Sequence, residues 1–291
     1  MQGSENLCAK LEEVKRQIAE CNRVVVAFSG GVDSTLVAKL ARDVLGRRNA
    51  LAVTADSPSL AREDLEEARR LAAGLDLEHL VIATHEVADA RYRANTESRC
   101  YFCKQELFEE LERLAETRGM PAVLYGAIAD DRLAERPGQR AALAFGVRAP
   151  LQDAGLAKWE VRLLAKALGL PNWDRPQNAC LSSRIPHGLA VTEEKLRQVE
   201  QAESFLRAQG FGQVRVRHFD THARIDVGAD ETHRFHDAAL CLAVARHFEG
   251  LGFETVGVNR RGYRPGGADQ TATDEIFLGA SSNKARSDVA V

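Results

Sequence analysis

Apolar and polar residues follow two patterns that alternate along the N-terminal part of the chain. Four short apolar runs have the length of buried strands, at residues 24–28, 50–54, 79–83 and 122–125. Around them, apolar residues recur every three or four positions, as on one face of a helix, at 5–20, 35–44, 60–73, 105–118 and 157–168. Strands that alternate with amphipathic helices predict right-handed βαβ units and a parallel, Rossmann-like α/β sheet.

The pattern changes after Gly188. The next elements predicted are a charged helix at 192–208, strands at 214–219 and 223–227, a helix at 237–248 and a strand at 255–258. This order is typical of a smaller α+β domain. We therefore expect domains at 1–188 and 189–267, and a flexible tail at 268–291, where Gly, Ala, Ser, Asp and Thr are common.

Composition narrows the class of protein. Of 291 residues, 45% are hydrophobic and 28% are charged, the balance of a globular protein with a large core. A net charge of −3 argues against a dedicated nucleic-acid binder. No apolar run approaches membrane-spanning length and the N-terminus lacks an apolar signal core, so we expect no membrane association and a cytoplasmic location. Six cysteines are too few for a disulfide scaffold and indicate metal or redox chemistry.

The segment Ser29-Gly-Gly-Val-Asp-Ser34 follows the first predicted strand directly. Gly30 and Gly31 allow positive φ and close backbone approach, so that successive N–H groups can point at an anion beside the helix N-terminus. The segment is neither a Walker A loop nor a GxGxxG turn. The alternative is a plain helix cap formed by Asp33 or Ser34 after a glycine turn.

Two further strand ends carry polar residues. The segment from Tyr125 brings Asp130 and Asp131 to the same edge of the sheet, where paired carboxylates can bind Mg²⁺ between nucleotide phosphates. Alternatively, the pair complements the dipole of a helix that starts there. Thr54 ends the second predicted strand.

Three cysteines lie in contexts unlike a core. Cys100 and Cys103 form a C-x₂-C pair, and Cys180 lies in a proline-flanked loop before Arg184 and His187, whose charges favour a thiolate. The pair admits three interpretations: ligands of an iron–sulfur cluster, sulfur-carrying or redox thiols, and a zinc or structural pair.

The segment SGGVDS after an apolar strand resembles the PP-loop of ATP pyrophosphatases, which cleave ATP between its α and β phosphates. The chain from about residue 5 to 267 resembles the LarE family more closely, on the motifs Arg148-Ala-Pro-Leu151, Leu156-Ala-Lys-Trp-Glu-Val-Arg162 and Cys180-Leu-Ser-Ser-Arg-Ile-Pro-His-Gly188. One departure is Ala127-Ile128, where the family usually has Thr-Asn.

The resemblance implies an ATP-dependent sulfurtransferase. LarE enzymes adenylate a carboxylate of pyridinium-3,5-biscarboxylic acid mononucleotide and convert it to a thiocarboxylate, in synthesis of the nickel-pincer nucleotide of lactate racemase. It implies ATP, Mg²⁺ and a small-molecule nucleotide substrate, and favours a homo-oligomer. The nucleotide-binding residues it implies are Ala27, Phe28, Ser29, Gly30, Gly31, Asp33, Ser34, Thr54, Gly126, Asp130 and Asp131.

The family has two sulfur chemistries. In one, the loop cysteine gives up its own sulfur; in the other, three cysteines hold a 4Fe–4S cluster whose open iron carries a sulfide. Cys100 and Cys103 indicate the second type, with Cys180 as third ligand and with Cys180 and Arg184 as the catalytic pair. The alternatives are a PP-loop tRNA thiolase, which the acidic net charge disfavours, and a regulatory nucleotide-binding protein with a zinc clip.

The small domain offers two weaker candidate sites. Arg215 and Arg217 fall on one face of a predicted strand, which suits either solvent or a shared anion. The resemblance favours a substrate-phosphate site, with Arg264 as a third member. Glu200, Glu203 and Asp226 are candidate ligands of a divalent metal, although surface acids are equally common there.

Overall fold

The computed structural model describes residues 2–132, 137–176, 178–263 and 274–278. The described chain divides into two compact units, one formed by Met1–Tyr92 and Glu97–Ala179, the other by Arg93–Thr96 and the chain from Cys180 onward. No helix in these ranges is both long and apolar enough to cross a bilayer. The homo-oligomer and the cytoplasmic location stay predictions.

The first unit contains a parallel four-stranded sheet among helices. Its elements are α1 (Gln2–Ala19), β1 (Val24–Ala27), α2 (Val32–Leu45), β2 (Ala50–Asp56), α3 (Arg62–Gly74), β3 (Glu78–Ala83), α4 (Ala90–Arg93), α5 (Arg99–Arg118), β4 (Ala122–Leu124), α6 (Ala129–Arg132), α7 (Pro137–Ala144), α8 (Pro150–Asp153) and α9 (Lys158–Ala167). The strand order is β3-β2-β1-β4, and β1 pairs in parallel with both β2 and β4. The predicted Rossmann-like sheet is confirmed.

Helices cover both faces of this sheet at β1 and β2, where successive residues are buried on either side. Val24 and Val26 of β1 pack into a core with α1, α2 and α9, whereas Val25 packs into a second core with α5 and α7. A strand buried on both faces reads as an unbroken apolar run, which is why the sequence shows no alternation here. The order along the sheet reverses between β1 and β4, and ligands of such folds bind at the carboxyl ends of the strands at this switch point.

The second unit contains a mixed four-stranded sheet. After a 3₁₀ turn at Leu181–Arg184, its elements are α10 (Glu193–Ala208), β5 (Val214–Phe219), β6 (His222–Val227), α11 (Ala238–Gly250), β7 (Thr255–Asn259) and β8 (Glu275–Leu278). The strand order is β5-β6-β7-β8, with a parallel pair only at β6 and β7. The α+β expectation holds for this unit.

Two details differ from the sequence expectations. Glu275–Leu278 falls in the predicted flexible tail but forms β8, because Ile276 and Leu278 pack against the core of the sheet. The division of units falls at Cys180 rather than 188, since the Asn95 amide, fully buried, donates to the Ile185, Pro186 and Leu189 carbonyls. Asn95 thereby ties the segment after Cys180 to the second unit.

Candidate active site

The loop between β1 and α2 has the backbone form of an anion-binding turn. Gly30 adopts a φ of 71°, and a Cβ there would lie 3.3 Å from the Ala68 backbone. Gly31 has a φ of −73°, so only the first glycine uses the left-handed freedom predicted for both. Gly31 precedes α2, and no side-chain cap bond is recorded at this helix start in the described chain, which argues against the plain helix cap.

The two serines fix the conformation of this loop. The Ser29 N–H donates to Ser34 Oγ at 3.2 Å, and Ser34 Oγ donates to the Gly31 carbonyl at 3.1 Å. The Ser29 and Ser34 hydroxyls also lie 3.1 Å apart. These bonds hold the turn in place without any ligand, which reduces the ordering cost of binding.

Gly126 lies where β4 ends beside the start of α2. A Cβ on Gly126 would lie 2.7 Å from the Ser34 nitrogen and 2.9 Å from the Asp33 carbonyl carbon. Both atoms belong to the backbone and cannot rotate away. A side chain here would therefore push against the loop itself.

We expect Gly126→Ala to destabilise the protein by about 1–3 kcal/mol, the usual cost of overpacking a tight site. Chemical denaturation at equilibrium measures the change. The matched control is Gly74→Ala at the end of α3, where an added Cβ meets nothing within 4 Å. Equal stability of the two variants would contradict the close approach at Gly126.

Acidic residues from two helices, α2 and α6, gather near the loop, around a lysine of α9. Lys158 Nζ, at the start of α9, donates to both carboxylate oxygens of Asp33, at 2.8 and 2.6 Å. The Lys158 N–H donates to Asp130 Oδ2 at 2.6 Å, and Asp131 Oδ2 accepts from the Ile128 N–H at 3.1 Å. The predicted acids thus lie together, and Asp131 also caps the short helix α6, so both interpretations of the pair have structural support.

The charge balance at Asp33 depends on Lys158. Burial raises the pKa of Asp33 above its ordinary value, and the nearby Asp131 charge raises it further. The hydrogen bonds and charge of Lys158 act in the opposite direction. Lys158 was missed as an individual site residue, because its only signal was its place in the quoted Leu156–Arg162 motif.

Thr54 contributes to the shape of the strand ends rather than offering a free hydroxyl. Its buried Oγ1 donates to the Phe28 carbonyl at 2.7 Å and lies 2.8 Å from His79 Nε2. Burial lowers the pKa of His79, which favours a neutral ring that donates from Nε2 to Thr54. The Phe28 N–H in turn donates to the Val53 carbonyl at 2.8 Å, which continues the β1–β2 pairing beyond Ala27.

The cysteine pair belongs to a helix. Cys100 and Cys103 lie in the first turns of α5, which begins at Arg99 rather than near 105. Three residues apart, they share a helix face. Cys100 is exposed and Cys103 is half-buried. Among the residues that the structure describes, no three His, Cys, Asp or Glu side chains are grouped as in a metal site.

Cys180 begins the second unit and is exposed. Arg184, predicted as catalytic, is 1% exposed, and its guanidinium donates to the Cys180 carbonyl at 2.8 Å and to Glu203 at 2.9 and 3.1 Å. The recorded contact of Arg184 with Cys180 is therefore with the backbone. Its geometry suits a positioning role.

Glu203 is held by arginines. It accepts from Arg184, from Arg207 at 2.9 Å and from the Val216 N–H at 3.0 Å. Burial alone would raise the pKa of Glu203, but the charges and hydrogen bonds of the two guanidiniums lower it overall. A carboxylate with these partners is less available to a metal ion, which argues against the metal expectation for Glu203.

The two predicted arginines of β5 have different surroundings. Arg217 is buried, donates to Asp226 at 3.0 Å and reaches the Ser183 carbonyl at 3.3 Å. Asp226 also accepts from Asn259 at 3.0 Å and pairs with Arg224 at 3.3 Å, so it too has cationic and amide partners rather than a metal site. Glu200, the third expected ligand, lies in no metal-ligand group of the described chain.

Arg215 lies near two other arginines and one carboxylate. Burial lowers the pKa of Arg215, and the charges of Arg184 and Arg207 lower it further, while the charges of Glu203 and Tyr263 act in the opposite direction. Its guanidinium lies 5.5 Å from the centre of the Tyr263 ring. Guanidiniums that lie close together are suitable donors to a phosphate. Arg264 lies outside the described residues.

Comparison with known proteins gives a family match to the N-terminal part of this chain and relatives that match nearly all of it. A family model described as NAD synthase matches residues 4–118, the part that contains β1, the loop and α2. An uncharacterized protein of Synechocystis is 43% identical over 265 residues, which cover 91% of this chain and 98% of that protein. The pyridinium-3,5-bisthiocarboxylic acid mononucleotide synthase of Lactiplantibacillus plantarum is 37% identical over 267 residues, 92% of this chain and 96% of its own. The chain belongs to the LarE family.

This membership covers both units, and it carries the ATP dependence of the PP-loop enzymes. The tRNA-specific 2-thiouridylase of Caulobacter is 31% identical over 209 residues, only 58% of this chain and 50% of that enzyme. The predicted LarE resemblance is therefore confirmed. The tRNA thiouridylase therefore matches a shorter part of this chain than the relatives that cover both units.

Proposed function

We propose that this chain is an AMP-forming sulfurtransferase that acts on pyridinium-3,5-biscarboxylic acid mononucleotide. The observation that carries the proposal is the preformed loop at the switch point with Lys158 and three acids beside it. The relative from L. plantarum, named for the bisthiocarboxylic product, supports the substrate. Such a product would enter synthesis of the nickel-pincer nucleotide of lactate racemase.

The first half-reaction is adenylation. A substrate carboxylate oxygen attacks the α-phosphorus of ATP, a P–O bond forms, and the bond to the β-phosphate oxygen breaks to release pyrophosphate. Backbone amides around Gly30 and Gly31 hold the outer phosphates, while the ends of β1 and β2, at Ala27–Phe28 and Thr54, place the adenosine. Fixed N–H groups stabilise the charge that develops on the leaving group.

Lys158 and the acids serve the leaving pyrophosphate. The carboxylates of Asp33, Asp130 and Asp131 are suitable oxygen ligands for the Mg²⁺ that accompanies ATP. In exchange for Asp33, Lys158 Nζ can pair with a phosphate oxygen, because its side chain is 31% exposed and reaches the loop already. Lys158 thereby neutralises the negative charge of either Asp33 or the pyrophosphate.

Cys100, Cys103 and Cys180 are proposed to hold a 4Fe–4S cluster. The donor set fits, since thiolates are the usual ligands of such clusters and two of the three lie one helical turn apart. A cluster held by these three cysteines would supply sulfide-level sulfur for the replacement of AMP on the activated carboxylate. The chain's own contribution is to present Cys180, whose backbone Arg184 holds.

Arg215 is proposed to bind the substrate phosphate, together with Arg207, whose side chain is 26% exposed. The closeness of Arg207 and Arg215 to each other beside Glu203 supports this assignment. Arg217 contributes indirectly, since Asp226 already accepts its guanidinium. The phosphate of the mononucleotide is the matching anion.

We expect the protein, incubated with ATP, Mg²⁺ and the dicarboxylate mononucleotide, to form AMP and pyrophosphate in equal amounts. Chromatography of the nucleotides measures this, with a reaction lacking the dicarboxylate as control. ADP and phosphate as products would contradict the PP-loop assignment. Thiolation of unmodified tRNA in the same assay would favour the thiolase alternative.

The cluster has a separate test. Protein purified without oxygen should contain iron and sulfide and absorb visible light. The Cys100→Ala variant should lose the iron, the sulfide and the absorption. A colourless, iron-free protein whose Cys180 loses hydrogen sulfide after turnover would instead indicate that the cysteine is the sulfur donor. Mass spectrometry of the peptide that contains Cys180 distinguishes the two.

A further inference from the structure

The segment that leads to Cys180 is bound to the nucleotide loop by a buried asparagine. Asn172 is 4% exposed, and its amide nitrogen donates to the Gly30 carbonyl at 2.9 Å and to Thr35 Oγ1 at 3.0 Å. Gly30 is the residue with positive φ in the anion-binding turn. Asn172 thus contacts the turn at its most constrained position.

Burying an asparagine at this position lowers stability unless the hydrogen bonds that its amide nitrogen donates are needed. The Asn172 Oδ1 atom is buried and has no hydrogen-bond partner within the described chain. An unsatisfied buried acceptor costs about 1–3 kcal/mol. An apolar residue would avoid this cost, so the contact with Gly30 and Thr35 is the feature that needs the amide.

Asp64 holds the other end of the same segment. Asp64, in the first turn of α3, accepts from Arg175 at 2.8 Å on one oxygen and from Asn178 at 2.6 Å on the other. Asn178 is two residues before Cys180. In addition, Arg162 of α9 donates to the Arg175 carbonyl at 3.2 Å. We call residues 172–176 with Asn178 the tether.

The ion pair at Asp64 contributes little to global stability. The Arg175 and Asp64 side chains are 31% and 18% exposed, and pairs of this kind are worth at most about 1 kcal/mol. Using both carboxylate oxygens on two residues of one short segment does, however, fix the direction of that segment. The contact suits positioning better than stabilisation.

We propose that Asp64 and Asn172 are positioning residues that couple the nucleotide loop to the placement of Cys180 through the tether. Asn172 is hydrogen-bonded to the turn at Gly30, so its position depends on the conformation of that turn. Asp64 fixes the direction of the segment that leads to Cys180. The inference rests on the proposed function, in which adenylation at the loop precedes sulfur transfer at Cys180. The two ends of the tether have different roles. A change at Asn172 affects both adenylation and sulfur transfer, whereas a change at Asp64 affects mainly sulfur transfer.

The test compares Asp64→Ala with wild type, using Glu67→Ala as a control because Glu67 lies on the same helix and its ion pair, with Arg70, is local to that helix. ATP–pyrophosphate exchange with the dicarboxylate measures adenylation, and thiocarboxylate formation measures the whole reaction. Asp64→Ala should keep exchange within about twofold and reduce thiocarboxylate at least tenfold. Asn172→Ala should reduce both.

Amide hydrogen exchange of peptides from 173–182, with and without a non-cleavable ATP analogue, gives a readout independent of turnover. We expect nucleotide to protect these amides in wild type and in Glu67→Ala but not in Asp64→Ala. Equal protection in all three overturns the tether, as does an equal loss of both half-reactions in Asp64→Ala. Should Asp64→Ala fail to fold, Asn178→Ala removes the bond from Asn178 to Asp64 and should change the same two readouts in the same direction.

The proposed function and the tether can fail separately. Wild type without pyrophosphate exchange would overturn the proposed function, whatever the tether does. Protection of residues 173–182 by the nucleotide analogue, lost in Asp64→Ala, would still support the coupling. Exchange in wild type together with unchanged behaviour of Asp64→Ala would overturn the tether alone.

Discussion

Lys158→Met should reduce adenylation about 10²–10³-fold, the usual cost of removing a group that stabilises charge in the transition state. Lys158 Nζ contacts both oxygens of Asp33. Without it, Asp33 keeps only the weaker charge effect of Arg162, and the departing pyrophosphate loses the lysine proposed to pair with it. ATP–pyrophosphate exchange at saturating ATP measures the effect.

The matched control for this change is Lys10→Met. Lys10 also donates to both oxygens of one carboxylate, Glu160, at 2.8 Å, and Glu160 lies on α9 two residues from Lys158. Its removal breaks a comparable ion pair in the same unit without touching the loop. Adenylation by Lys10→Met should stay close to wild type, and an equal loss in both variants would assign the effect to stability.

The pH dependence of Lys158→Met gives a second readout. Lys158 lowers the pKa of Asp33 against the raising effect of burial, so its loss should move that pKa further up. If Asp33 must be ionised, activity then falls at a higher pH as the solution is acidified. The acid limb of the pH–rate profile should shift upward in Lys158→Met and stay in place in Lys10→Met.

The sequence predicts elements whose signals are local. The apolar runs around β1 and β2, the turn at Gly30 and the change of pattern after Gly188 all depend on neighbours within a few positions. Gly126 came from the family resemblance, and the structure supplies the reason: its missing side chain leaves room for the Ser34 backbone.

Long-range partners could not be predicted in the same way. Lys158 and Asp33 are 125 positions apart, and Asn172 and Gly30 are 142 apart. β8 was missed because its four residues lie in a segment of loop-like composition and gain their order only from pairing with β7. Arg217 was expected to face solvent or an anion, but the cross-strand acid Asp226 already accepts its guanidinium.

Glu203→Gln should destabilise the protein by about 3–5 kcal/mol, the cost of removing one partner from a buried ion pair. Arg184 and Glu203 are each 1% exposed, so the guanidinium would lose its compensating charge in a place that water does not reach. Arg207 would lose the same partner. Equilibrium denaturation measures the change, with the exposed Glu194→Gln on the same helix as control, expected within about 0.5 kcal/mol of wild type.

The pH dependence of stability shows whether the charge of Glu203 accounts for the stability lost in Glu203→Gln. The folded pKa of Glu203 lies below its ordinary value of 4.5, so its stabilising contribution is present above that value and is lost as the pH falls through the folded pKa. Wild type should therefore approach Glu203→Gln in stability as the solution is acidified below about 4.5. A difference that stays constant down to strongly acidic pH would mean that packing, rather than the charge of Glu203, holds Arg184 and the Cys180 backbone in place.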